Sequence, residues 1–140
     1  MTLKEELEEI AVAARQYDGD GEKVAAVIAA EPADGMRVYL CAFASGEARS
    51  WLGLRDDGQP VTDRTLLLDA VSIAALCELA DEFAGRLDEH PRVATPAYLE
   101  AASAEAGRDA ASFAEAMKQG VTAVEGLVAE VEGAYRIELR

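Results

Sequence analysis

Apolar and polar positions along this chain follow two periods, and the change between them marks its organisation. Leu3, Leu7, Ile10, Ala11, Ala14 and Tyr17 recur at helical spacing, with Glu5, Glu6, Glu8 and Glu9 largely on the other side, so the pattern predicts an amphipathic N-terminal helix. Thr2 followed by Glu5 forms a capping box at its start. Asp18-Gly19-Asp20-Gly21 breaks the pattern, and a second short helix is expected from about 22 to 30, carrying Val24, Val27 and Ile28 inward. Glu31-Pro32-Ala33-Asp34-Gly35 ends that segment.

The period then becomes two. Residues 37–44 and 50–55 read as strands joined through Gly46-Glu47, with glycine at the first central position of a type II′ turn. A two-residue loop there sets Phe43 opposite Ser50, Cys41 opposite Leu52 and Tyr39 opposite Leu54 on one face. On the other face Ala42 meets Trp51, Leu40 meets Gly53 and Val38 meets Arg55. Asp57-Gly58 then signals a return into a short third strand over 59–62, an edge strand because Pro60 has no N–H, with Val61 opposite Leu54.

Helical spacing resumes after Thr62 or Asp63 as cap, and the run over 64–84 is apolar around most of its circumference, the mark of a buried central helix. Thr95-Pro96 opens another helix to about 106. Phe113, Met117, Val121, Val124, Val128 and Val131 predict a long last helix capped by Asp109. The tail 134–140 alternates as a strand does and could pair with the first hairpin strand, in this chain or in a partner. The expected fold is one α+β domain over 1–140. Its sheet is antiparallel, with three strands, or four if the tail joins, and about five helices pack with it around the 64–84 helix.

Composition narrows the class. A chain of 140 residues with 51% hydrophobic and 29% charged residues has enough apolar material for a core, unlike a disordered segment. The net charge of −14 argues against direct binding to nucleic acid or an anionic membrane, both of which need a cationic surface. No apolar stretch approaches a membrane span, and Met1-Thr2-Leu3-Lys4-Glu5-Glu6 has no signal-peptide character, so a cytoplasmic location is expected. The charge is uneven. Residues 1–34 carry nine acids and three bases and residues 65–140 fourteen and six, whereas 35–64 carry four of each. The hairpin region is therefore a neutral, arginine-bearing patch in an acidic chain.

Candidate chemistry is sparse. His90 is the only histidine, no metal-ligand spacing surrounds it, and no phosphate loop or nucleophile elbow occurs, so no catalytic residue, metal or cofactor is expected. Cys41 and Cys77 lie in apolar runs and read as packed, reduced thiols, with a redox pair between sheet and helix as the sharper alternative. Adjacent acids such as Asp81 and Glu82 read as a solvated face. The surface singled out is Arg49, Trp51 and Arg55 on the second hairpin face, with Tyr39 nearby. Tryptophan and arginine dominate binding hot spots, and Gly53 leaves a shallow place against the sheet. A helix of the chain covering this face is the competing reading. These features favour a non-catalytic protein-interaction or regulatory module acting through a sheet face or a strand-mediated homodimer. The alternatives are a protein or enzyme binding an anionic small molecule between sheet and helices, and an acidic mimic of nucleic acid.

Overall fold

Side-chain alternation dictates the hairpin more directly than any other element, and the hairpin forms as the arithmetic requires. The computed structural model describes residues 2–17, 23–45, 48–84, 92–105, 128–131 and 134–139. Helix α1 spans Leu3–Ala14, strand β1 Lys23–Ala30, β2 Val38–Ser45 and β3 Ala48–Leu54. Helix α2 spans Arg64–Ala84, β4 Val93–Ala94, α3 Pro96–Glu105, β5 Val128–Val131 and β6 Ala134–Leu139. β2 and β3 pair with Phe43 opposite Ser50, Cys41 opposite Leu52 and Tyr39 opposite Leu54. Ser45 opposite Ala48 leaves a two-residue link, although Gly46 and Glu47 lie outside the described residues.

Helix starts follow their capping residues. The Glu5 N–H donates to Thr2 Oγ1 at 3.2 Å, the Leu66 N–H to Asp63 Oδ1 at 3.1 Å and the Tyr98 N–H to Thr95 Oγ1 at 3.0 Å. Asp63, rather than Thr62, is therefore the cap of α2.

The fold is α+β, but its sheet is larger than expected and mixed. Six strands run in the order β4-β1-β2-β3-β6-β5, and β1 pairs with β4 in parallel. The segment expected as a second helix is β1, antiparallel to β2 with a bulge between Val24 and Ala26. The extra residue brings Val24 and Val27, three apart, to one face, while Ile28 and Ala30 serve the other. The spacing that suggested a helix is that of a bulged strand.

Other expectations shift with it. β1 occupies the β2 edge where the C-terminal strand was expected, and β6 instead pairs with β3, setting Trp51 opposite Ile137. Val128–Val131, assigned to the end of a long helix, is β5 and pairs with β6; the rest of that helix, from its expected cap Asp109 to residue 127, falls outside the described residues. Three α-helices and a 3-10 turn at Arg15–Tyr17 occur among the described residues, rather than five helices. The third strand shrinks to one bridge between Leu54 and Pro60. The Asp57-Gly58 turn forms, with Gly58 at φ 81°. Val61 donates its N–H to Gly53 O at 2.9 Å and packs beside Gly53 and Val38, not on the Leu54 face.

The core lies on both sides of the sheet. On one side α2 seats Leu67, Ala70, Ile73, Ala74 and Cys77 against Ala30, Val38 and Leu40, with α3 packed alongside α2. On the other, Ile10 and Ala14 of α1 cover Tyr39, Cys41, Phe43, Leu52 and Leu54. The shallow place at Gly53 is filled by the chain itself: a Cβ there would sit 2.6 Å from Leu67 Cδ1 and 3.1 Å from Val38 Cγ1. Gly53→Ala is expected to cost about 1–3 kcal/mol by overpacking. Most of that cost should vanish in a Leu67→Ala background, where the obstructing methyl is gone, and urea unfolding of the four proteins in the cycle measures the coupling. An unchanged Gly53→Ala penalty without Leu67 would show that the two do not compete for space.

Candidate functional site

A strand edge is a row of backbone donors and acceptors, and its availability depends on what lies beside it. β4 pairs only with Ala29 and Ala30 of β1. The Glu31 N–H donates to Ala94 O at 2.8 Å, so by strand alternation Val27, like Ala29, turns its backbone groups toward this outer edge. From Lys23 to Ile28 no strand lies beside it among the described residues. Lys23, Ala25 and Ala26 are exposed, and Val24, Val27 and Ile28 half-buried. Helix α1 passes over β1, and a groove of about 240 Å³ opens between them, walled by Leu7, Ala11 and Val24 to Val27, with Lys4 and Glu8 among its lining. Val12, one turn beyond Glu8, is 60% exposed.

The residues singled out from the pattern do not converge on one site. Trp51 packs half-buried against the α2 side of the core, and its Nε1 is buried with no hydrogen-bond partner among the described residues. Arg49 is placed by its backbone alone, opposite Ala44 and Leu139. Arg55 is exposed, with its guanidinium 3.8 Å from Asp57. Tyr39 is buried on the opposite face, in the α1 core. The face carrying Trp51 and Gly53 is thus covered by α2, so the covering-helix reading holds there.

Two clefts with charged residues in their walls flank the hairpin. One, of about 360 Å³, lies between Gly35, Arg37, Arg55 and the start of α2, with Asp56 and Asp63 also in its walls. Its Arg37 is already engaged: Nε and Nη2 donate to Glu31 Oε2 at 3.1 and 3.0 Å, and Nη1 lies 3.6 Å from Glu6. The Gly35 N–H and this guanidinium hold the Glu31 carboxyl below its usual range. The other cleft, of about 350 Å³, is acidic, with Glu6, Glu9, Asp56 and Asp57 around Ile10 and Tyr39.

Asp81 corrects the reading of adjacent acids as a solvated face. It is 5% exposed near the end of α2. Arg92 donates to its Oδ2 through Nη2 and through Nε at 2.9 Å, and Tyr98 Oη donates to its Oδ1 at 2.6 Å. The guanidinium also stacks 4.7 Å from the Tyr98 ring centroid. Burial, and the proton Tyr98 holds on Asp81, push the Tyr98 phenol up. The clue was available in the pattern: Asp81 falls four residues after Cys77 on the apolar stripe of α2, where a charge requires a partner.

The cysteines lie on opposite faces of the sheet, Cys41 under α1 and Cys77 on α2, so the redox pair does not form. Burial pushes Cys41 up to about 12; burial, with Asp81 adding to it, pushes Cys77 up to about 11. His90 and the Asp18-Asp20 turn lie outside the described residues. Among the described residues no cluster of His, Cys, Asp and Glu could hold a metal ion, and no helix is long and apolar enough to cross a membrane. No protein-family model, curated protein or solved structure matches the chain.

Asp81→Ala removes the carboxylate that Arg92 and Tyr98 both donate to and is expected to cost about 1.5–3 kcal/mol, with Tyr98→Phe costing less because the ring stays under Arg92. Denaturant midpoints of the two variants check the order; equal, negligible losses would show the network to be without energetic weight. The thiols should resist an alkylating reagent at pH 8 in the fold and react in denaturant. Their raised pKa values also give a direction with pH. Unfolded thiols ionise from an ordinary value of 9.0 while the folded ones stay protonated, so stability is retained below that pH and falls as pH rises toward 11 and 12. Unfolding at pH 8 and pH 10, compared with a Cys41→Ala, Cys77→Ala protein, isolates that contribution.

Proposed function

We propose that this protein is a non-catalytic protein-interaction or regulatory module that works through the edge of its sheet. The observation carrying this reading is the mostly apolar edge of β1 from Lys23 to Ile28, beside the α1 groove, which no strand covers among the described residues. Strand addition uses main-chain hydrogen bonds for affinity and side-chain pockets for selectivity, and this place offers both. The contact device differs from those expected from the pattern: the Trp51 face is occupied by α2, and the C-terminal strand is interior to the sheet.

A second reading, binding of an anionic small molecule, is favoured by Arg37 and Arg55 in one cleft. It is the weaker, because Arg37 is bound to Glu31 and Glu6 and the walls bring two further carboxylates.

Selection of extended peptides from a random library on the full chain, followed by amide NMR with the selected peptide, separates the two. The edge reading expects shifts centred on Val24 to Ile28, and at least tenfold weaker binding by Ala25→Lys, since an edge lysine obstructs pairing. Ala25 is exposed, so the variant should keep the melting temperature. Shifts confined to Arg37, Arg55 and Leu66, or binding indifferent to Ala25→Lys, would overturn it.

A further inference from the structure

We infer that the occupant of the β1 edge is β1 of a second copy, paired antiparallel about a two-fold axis; this deepens the edge reading and rests on it. An isologous contact requires a surface that is its own complement, because residue i meets j wherever j meets i. The edge has that property. Val24-Ala25-Ala26-Val27 reads the same in both directions, so an axis between Ala25 and Ala26 sets Val24 of each copy opposite Val27 of the other. The bulge turns both valines to the α1 side, where the groove lies, so the cross-strand pairs fall on its floor.

The charges beside the groove are self-complementary too. Lys4 and Glu8 stand one helical turn apart on α1, and neither forms an ion pair among the described residues. Two α1 helices brought side by side in opposite directions place Lys4 of each copy near Glu8 of the other, which gives two reciprocal contacts. Val12, exposed one turn further on, extends the apolar strip toward the second copy. The bulge and Lys23 shorten the strand pairing, as bulges and edge lysines do elsewhere, so the groove must supply part of the contact. Each copy carries −14, so the pairing is to be measured at physiological salt, where the screening length is about 8 Å.

Analytical ultracentrifugation of the full chain from micromolar to millimolar concentration should show a species of twice 14.9 kDa. Ala26→Lys puts two lysines at the axis and should leave a monomer with unchanged circular dichroism. Lys4→Glu and Glu8→Lys should each weaken dimerisation about tenfold, since each reversal replaces two attractions by two repulsions, and the double reversal should restore it. A dimer insensitive to Ala26→Lys, or single reversals not rescued by the double, overturns the inference. A chain monomeric at millimolar concentration whose Val24 to Ile28 amides still shift with a selected peptide overturns the second copy and leaves the edge reading standing. A monomer with no peptide-induced shift at β1 removes both.

Discussion

Everything in this fold follows from β2 being apolar on both faces. Val38, Leu40 and Ala42 point one way and Tyr39, Cys41 and Phe43 the other, and all six are buried. Burying each large side chain contributes about 1.5–3 kcal/mol, so leaving either face wet would forfeit much of the core. The sheet therefore needs a helix on each side, and β2 needs a strand on each edge to satisfy its backbone. Chain order meets those demands with α1 below, α2 above, β1 on one flank and β3 on the other. The absence of a side chain at Gly53 lets Leu67 descend onto the sheet and sets how closely α2 approaches.

Polar groups hold the segment around β4 to the helices. Asp81 on α2, Arg92 just before β4 and Tyr98 on α3 are joined by charge-assisted hydrogen bonds in a place with little water. That network holds Arg92 directly before β4, and Thr95 caps α3 directly after it. Among the described residues β4 pairs with Ala29 and Ala30 of β1. Among the described residues no strand accompanies the rest of that edge, from Lys23 to Ile28, on which the interaction reading depends.

The charge distribution takes on a different meaning in three dimensions. In the neutral region 35–64 two arginines share a cleft but differ in state: Arg37 is tied to Glu31 and Glu6 around the start of β2, whereas Arg55 is exposed near Asp57. The acidic surplus of α1 is not uniform either. Glu6 and Glu9 face the acidic cleft, while the groove side carries Lys4 and Glu8, one charge of each sign.

Where a physical signal is local, the sequence sufficed. Strict alternation and a two-residue link determined the hairpin register from Tyr39–Leu54 to Ser45–Ala48, and side-chain caps determined the starts of α1, α2 and α3. The apolar run over 64–84 determined that α2 would be a core helix. Of the candidate site, Trp51 and Gly53 were legible as a face that something must cover, but not the identity of the cover. β1 has the sequence pattern of a helix because a bulged strand with Val24, Val27 and Ile28 has the spacing of a helical face, and the partner that decides between them lies in β2, distant in sequence. The place of Asp81 on the apolar stripe of α2 signalled that it needs a partner, but that the partners are Arg92 and Tyr98 was settled only by packing. Strand order and the parallel pairing of β4 belong to the tertiary structure alone, because they depend on which segments compete for the same backbone hydrogen bonds, and no local pattern encodes that competition.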